Sequence, residues 1–187
     1  MGILIGSILG FKFGGYLGMP FGAWLGFWIE SKLLHSSRSS KQGATQESFF
    51  NALFLCMGKL AKADGQVSNL EIQKAEGIMR HMNLNGAMRQ KAIDLFNQGK
   101  RGGSIETPLR EFAQMSRRSL SLRQIFLEML VDVAEADGHI SAAEVRLIEN
   151  ICQSIGYPHH LLMAMMNMRG ASAGYDPRSN QRRQNHY

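Results

Sequence analysis

A ten-residue motif that occurs twice constrains the fold of this chain more than any other feature of its sequence. The two copies cover residues 62–71 and 135–144, and equivalent positions are 73 residues apart. Four residue types recur in the same order in both copies. They are Asp64, Gly65, Ser68 and Glu71 in the first copy and Asp137, Gly138, Ser141 and Glu144 in the second. Internal repetition indicates two copies of one supersecondary unit.

Each copy of the motif carries the signals that end one helix and begin the next. A glycine such as Gly65 or Gly138 readily adopts the left-handed backbone conformation that commonly follows a helix. The serine and the glutamate three residues later are the sequence signature of a capping box. Val67 and Ile140 would fill the space between the two helices. The motif therefore predicts a helix, a corner and a second helix in each copy.

The same motif is similar to the second half of a calcium-binding loop, in which Asp-Gly is followed by an apolar residue and a glutamate. The first half of such a loop is missing, because Leu60 and Lys62 stand where its aspartates would be, as do Val133 and Glu135 in the second copy. If the two corners pack together, their carboxylates would form one acidic cluster. The candidate metal ligands are Asp64, Glu71, Asp137 and Glu144. We favour capping over metal binding, and we predict no cofactor.

The rest of the middle of the chain has helical periodicity and no convincing strand alternation. The predicted helices are 46–63, 68–82, 85–98, 107–117, 121–136, 141–155 and 158–168. The fourth of them opens on Thr107 as its cap, with Pro108 in the first turn. We therefore expect an all-α bundle of about seven helices. The last helix contains Met163, Met165, Met166 and Met168, for which core filling is favoured and a methionine-rich peptide groove is the alternative.

Residues 2–29 have the composition of a membrane span. They contain one charged residue, Lys12, and as a helix they would be about 42 Å long, which exceeds the thickness of a bilayer core. Glycine stands at every fourth position: Gly2, Gly6, Gly10, Gly14, Gly18, Gly22 and Gly26. This spacing lets two helix backbones approach closely. We therefore predict a transmembrane helix within residues 1–34 that self-associates through the glycine stripe, namely Gly6, Gly10, Gly14, Gly18, Gly22 and Gly26.

Lys12 leaves two interpretations of the span open. Its side chain would extend to the N-terminal membrane interface, which we favour, or face the interior of an oligomeric pore. A cleaved signal peptide is disfavoured, because Lys12 interrupts the apolar run and no small-residue cleavage site follows. Lys32, Arg38 and Lys41 follow the span closely. The positive-inside rule therefore places the C-terminal side in the cytoplasm.

A linker, a helical domain and a tail are predicted after the span. Residues 35–46 are serine-rich and are predicted to be a linker. Residues 47–168 form the predicted helical domain, and residues 169–187 are a basic tail with four arginines and one aspartate. The tail carries no fold signature of a nucleic-acid-binding module, so we predict no nucleic-acid partner.

The sequence lacks the motifs that carry catalytic chemistry: it has no nucleophile elbow, no phosphate-binding loop and no HExxH. Its two cysteines, Cys56 and Cys152, lie in apolar helical segments. We interpret both as core thiols rather than nucleophiles. The chain is therefore predicted not to be an enzyme.

The duplicated corner, Lys-Ala-Asp-Gly-x-Val-Ser-x-x-Glu and Glu-Ala-Asp-Gly-x-Ile-Ser-x-x-Glu, resembles the corner of TerB-like domains. With a glycine-rich span before it, the chain resembles the membrane-anchored, DnaJ-like co-chaperones. That resemblance implies a single-pass inner-membrane protein in contact with lipid, its N-terminus periplasmic and its bulk cytoplasmic. It also implies a C-terminal J domain that stimulates the ATPase of DnaK, which would be the partner.

The chain departs from this pattern because it contains no His-Pro-Asp tripeptide, the motif through which J domains act. Residues 170–186 look like the linker before a J domain, and residues 185–187 look like its first residues. The predicted function is therefore anchoring, dimerisation and partner binding within a DnaJ-type co-chaperone that regulates DnaK. Two alternatives differ in class: a membrane-bound TerB-like sensor module linked to a metal and without chaperone activity, and a glycine-zipper pore.

Overall fold

The computed structural model describes residues 39–65 and 68–170, and within these ranges the chain is helical between short turns. Seven α-helices and no strand occur there, which confirms the all-α prediction. The helices are α1 Ser39–Leu60, α2 Asn69–His81, α3 Gly86–Lys100, α4 Glu106–Met115, α5 Leu120–Ala134, α6 Ala142–Ser154 and α7 His159–Gly170. The chain divides into two compact units, 1–48 and 49–187. The packing described below is that of the second unit.

Helices α1 and α5 form the centre of the bundle. Between Phe49 and Leu60 every side chain of α1 is buried except those of Asn51 and Lys59. Most of α5 from Phe126 onward is buried as well. A helix that is apolar around nearly its whole circumference is stable only inside a protein, where each fully buried large apolar side chain contributes about 1.5–3 kcal/mol. Each central helix is the first helix of one repeat copy, so the duplication supplies both central elements.

Three phenylalanines join α1, α4 and α5. The ring of Phe49 meets the edges or faces of Phe112 and Phe126 at centroid distances of 5.6 and 5.7 Å, with nearly perpendicular planes. Phe112 and Phe126 stack on each other at 4.6 Å. All three rings are at most 1% exposed, and these geometries are the favourable ones for aromatic pairs. The cluster fixes the positions of three helices relative to one another.

Helices α1 and α3 approach so closely that only glycine fits between them. A Cβ atom built on Gly58 would lie 1.9 Å from the carbonyl oxygen of Phe96. A Cβ atom built on Gly99 would lie 2.1 Å from the carbonyl oxygen of Leu55. Both distances are far shorter than van der Waals contact. The two glycines therefore set the spacing of these helices.

The start of α1 and the cap of α4 differ from those predicted, whereas the other helix starts agree to within one residue. Helix α1 begins at Ser39, so residues 39–46 of the segment interpreted as a linker are helical. A helix that is already nucleated adds polar residues at little cost for each, and apolar periodicity does not detect them. Helix α4 begins at Glu106, so Thr107 and Pro108 lie inside its first turn. The prediction of Thr107 as the cap is wrong, since Ile105 occupies the cap position. Pro108 fits inside the first turn because the N–H groups there have no partner within the helix.

The methionines of α7 divide between the core and the surface. Met166 is 4% exposed, whereas Met168 is 83% exposed. The core-filling prediction is confirmed for Met166 and is wrong for Met168. Two residues along an α-helix correspond to about 200° of rotation, so Met168 faces away from the side that packs.

No helix within residues 39–65 and 68–170 is long and apolar enough to cross a membrane. The predicted span, with Lys12 and the glycine stripe, lies outside the residues that the structure describes, and so does the basic tail from residue 171 onward. The membrane span, its orientation and its self-association remain predictions from the sequence.

Candidate functional site

The first corner joins α1 to α2 and has the hydrogen bonds of a complete capping box. Gly65 has a φ of +91°, and its N–H donates to the carbonyl oxygen of Lys62 at 3.0 Å. The Ser68 Oγ accepts from the N–H of Glu71 at 3.0 Å. In return the Glu71 carboxylate accepts from the N–H of Ser68 at 2.8 Å. Val67 lies outside the described residues.

The second corner, between α5 and α6, repeats this arrangement. Gly138 has a φ of +84°, and its N–H donates to the carbonyl oxygen of Glu135 at 3.0 Å. The Ser141 Oγ accepts from the N–H of Glu144 at 3.2 Å, and the Glu144 carboxylate accepts from the N–H of Ser141 at 2.7 Å. Ile140 is half-buried at the corner. The duplication in the sequence is therefore also a duplication of local geometry.

The two corners lie near each other because each copy packs against the other. Helix α2 of the first copy packs on α5 of the second, where Lys74 Nζ is 3.2 Å from the Asp132 carboxylate. At the other side, Lys62 after α1 and Arg146 of α6 line one groove. The second helix of the first copy thus contacts the first helix of the second copy.

This packing brings three of the four predicted acidic residues into electrostatic range. Burial raises the pKa of Glu144 above its ordinary value, and repulsion from Glu71 and Asp64 raises it further, while hydrogen bonds from Ser141 oppose both effects. Glu71 and Glu144 are each 6% exposed. Asp137 is exposed and engaged locally, since its carboxylate accepts from the N–H of His139 at 3.0 Å. The hydrogen bonds of the capping boxes supply the partners that buried carboxylates require.

Among the described residues, no group of three or more histidine, cysteine, aspartate or glutamate side chains is arranged to hold a metal ion. The carboxylates of Glu71 and Glu144 are turned toward the backbone N–H groups of the cap serines Ser68 and Ser141. Metal binding by Asp64, Glu71, Asp137 and Glu144 stays an untested prediction.

Both thiols are buried in the core, as predicted. Burial raises the pKa of the Cys56 thiol, and it raises the pKa of Cys152 to about 11. The Cys152 Sγ also donates to the carbonyl oxygen of Tyr157 at 3.3 Å. Since the thiolate is the reactive form, neither group has the chemistry of a nucleophile at neutral pH.

A feature that sequence reasoning missed is a cleft of about 850 Å³ bordered by α4, α6 and the start of α5. Its walls carry four basic side chains, from Lys59, Arg110, Arg117 and Arg123. These residues come from three helices and from the turn that precedes α5. The one available signal was the excess of basic residues in the chain, which does not say where they converge.

Comparison with known proteins places this helical domain in a family. The family model described as tellurite resistance protein TerB matches residues 50–167. The chain belongs to the TerB family, and the resemblance inferred from the duplicated corner is confirmed.

The curated relatives are co-chaperones. The chain is 36% identical to Co-chaperone protein DjlA of Coxiella burnetii over 130 residues, which are 68% of this chain and 47% of that protein. It is 35% identical to the DjlA of Vibrio parahaemolyticus over 136 residues, covering 72% and 48% of the two chains. It is 37% identical to the DjlA of Photobacterium profundum over 128 residues, which are 68% of this chain and 46% of that protein. The chain thus spans about half the length of the curated relatives it matches. No solved structure matches it.

Proposed function

We propose that this chain supplies membrane anchoring, self-association and partner binding to a DnaJ-type co-chaperone that regulates DnaK. The observation that carries the proposal is the identity of about 35% with DjlA co-chaperones over roughly 70% of the chain. That match is too long to reflect the corner motif alone. It supports a common role for the TerB bundle in these proteins.

The chemistry of the bundle suits binding rather than catalysis. The buried carboxylates are held in capping boxes, and the thiols are kept protonated by burial. A rigid helical scaffold with satisfied interior groups presents its exposed surfaces to partners. Catalytic regulation of DnaK would then come from a J domain, and the bundle would position that domain at the inner face of the membrane.

The proposal is tested with the protein that the gene encodes, purified in detergent. Added to DnaK, it should increase the rate of single-turnover ATP hydrolysis. The matched control is a protein of residues 1–187 alone, which contains no His-Pro-Asp tripeptide and should give no increase. If the encoded protein leaves the rate of ATP hydrolysis by DnaK unchanged, the co-chaperone function is ruled out.

A further inference from the structure

We propose that the basic cleft bordered by α4, α6 and the start of α5 binds an acidic segment of a partner protein that also carries apolar side chains. This inference goes beyond the proposed co-chaperone function and does not depend on a J domain. It concerns a surface of the bundle itself.

The floor of the cleft is apolar. It is formed by side chains of α4 and α6 and of the residues that flank them: Ile105, Leu109, Ile151 and Ile155, each at most 5% exposed. Leu147 and Ala113 extend this surface and are half-buried. The floor residues themselves are already enclosed by the bundle, so apolar side chains of a bound segment would remove from water chiefly the exposed parts of Leu147 and Ala113. The volume of about 850 Å³ is in the range typical of binding pockets.

The walls of the cleft are positively charged. Lys59, Arg110, Arg117 and Arg123 border it, and among the described residues that line it the one carboxylate is that of Glu106. Glu106 accepts a hydrogen bond from the Ser104 hydroxyl. This hydrogen bond is the largest of the effects that lower the pKa of Glu106. In the part of the chain that the structure describes, none of the four basic residues has a carboxylate within salt-bridge distance. The cleft therefore has a surplus of positive charge that an acidic ligand would neutralise.

Arg123 is the most constrained of these cations. Its Nε donates to the Ser116 Oγ at 3.2 Å, and one terminal nitrogen donates to the carbonyl oxygen of Gly156 at 2.8 Å. Both acceptors are neutral, so they fix the guanidinium without compensating its charge. Because the side chain is half-buried, its charge is less well solvated than one on the open surface. A carboxylate in the cleft would complete its coordination.

A second groove continues the charged surface. It has a volume of about 370 Å³, shares Lys59, Leu147 and Asn150 with the cleft, and adds Lys62, Lys100 and Arg146. No acidic residue lines this groove within the described part of the chain. An extended acidic segment could therefore pass from the cleft into the groove and meet basic side chains along its whole path.

The shape and lining of the cleft favour a protein segment over other anionic partners. A membrane surface cannot reach a recessed apolar floor, whereas a peptide side chain can. Single-stranded nucleic acids bind through aromatic side chains that stack on bases, and no aromatic residue is among the described residues that line the cleft. The tail of this chain is itself basic, with four arginines after residue 168, so charge disfavours it as the occupant.

The test uses the full chain in nanodiscs of phosphatidylcholine and a fluorescein-labelled synthetic peptide that alternates glutamate with leucine. Fluorescence anisotropy should show saturable binding that weakens as salt is added. A peptide with lysine in place of glutamate, and one with serine in place of leucine, should both bind more weakly. Equal binding of all three peptides would overturn the proposal.

Matched variants locate the binding surface. Arg110→Glu combined with Arg117→Glu should weaken binding by about tenfold, because two exposed attractions become repulsions. Arg118→Glu is the control, since Arg118 is the exposed neighbour of Arg117 and does not line the cleft. An equal loss of affinity in the control, or no loss in the double variant, would overturn the proposal. Circular dichroism of each variant verifies that the bundle is folded.

Two further outcomes would assign the surface to another partner. Nanodiscs that contain phosphatidylglycerol, or a single-stranded oligonucleotide, are added as competitors. One result would be that a competitor displaces the labelled peptide more effectively than unlabelled peptide of equal charge does. If the double variant also abolishes this displacement, the cleft binds that anion and the peptide proposal fails.

Discussion

Glu71 and Glu144 are the carboxylates that lie buried in the described part of the bundle. Each accepts a hydrogen bond from the N–H of its cap serine, and each cap serine accepts one from the glutamate's N–H. A buried carboxylate without partners would be strongly destabilising. The reciprocal hydrogen bonds explain why an acidic residue is retained at a position that the bundle encloses.

We predict that Ser68→Ala and Ser141→Ala each lower the free energy of unfolding by about 0.5–2 kcal/mol, the usual effect of losing an N-cap. Each change leaves the N–H of the following glutamate without its acceptor. Urea denaturation followed by circular dichroism measures the effect. Ser154→Ala is the control, since Ser154 is exposed and its hydroxyl bonds within its own helix. A loss of similar size in the control would show that capping is not the cause.

Glu144 gives the bundle a defined dependence on pH. Its pKa is raised in the folded state, chiefly by burial, so the folded protein binds this proton more tightly than the unfolded chain does. The stability contributed by this group is therefore present below the ordinary glutamate pKa and is lost as pH rises through the folded-state value. Protonation at low pH removes the repulsion from Glu71 and Asp64.

We predict that Glu144→Gln removes this dependence. The stability of the natural protein minus that of the variant should decrease as pH rises from below the ordinary glutamate pKa of 4.5. Urea denaturation over a pH series measures the difference. Glu111→Gln, at an exposed position, controls for the change in net charge. A stability difference that increases with pH would mean that folding lowers the pKa of Glu144 and would contradict the prediction.

At the scale of elements, the contact between α1 and α3 depends on two residues that have no side chain. Gly58 and Gly99 lie in the last turns of α1 and α3, and glycine within a helix is intrinsically unfavourable by about 1 kcal/mol relative to alanine. Their retention in helices is explained by the backbone carbonyls that occupy the space of a Cβ atom. Glycines within a helix are a sequence signal for such close approach, although the signal does not identify the partner helix.

We predict opposite effects for two glycine-to-alanine changes in helices. Gly58→Ala should destabilise the bundle by about 1–3 kcal/mol, because the added methyl group forces α1 and α3 apart. Gly77→Ala in α2 should stabilise it by about 0.5–1 kcal/mol, because the nearest atom to a Cβ there lies at 3.8 Å and belongs to a side chain. Thermal denaturation compares the two. Equal effects would mean that helix propensity alone decides both.

At the scale of the whole molecule, the bundle is one part of a chain whose first 38 residues are known from sequence alone. We predict that Gly14→Leu with Gly18→Leu reduces chemically crosslinked dimer in membranes, because bulky side chains keep the helix backbones apart. Gly15→Leu is the matched control, since Gly15 lies outside the four-residue register. Undiminished dimer in the double variant, or an equal loss in the control, would place self-association elsewhere.

The sequence alone predicted the number and the approximate positions of the helices, and it predicted the local structure of both corners. A capping box needs four consecutive residues, and Ser68 with Glu71 satisfies it without help from the rest of the chain. Helical periodicity likewise repeats within a few residues. The cap of α4 was mispredicted, since Ile105 rather than Thr107 stands at its N-cap position and makes no side-chain capping hydrogen bond.

Only the tertiary structure decided which distant residues meet. The pKa of Glu144 depends on Asp64 and Glu71, more than 70 positions earlier in the chain. The basic cleft takes its walls from Lys59, Arg110 and Arg123, which no local pattern connects. Helix propensity and capping act over one or two turns, whereas the distances between these groups are fixed by how α1, α4, α5 and α6 pack. Short-range hydrogen bonding therefore determines the helices and the corners. Burial of the two central helices determines which charged residues come together around Glu144 and around the basic cleft.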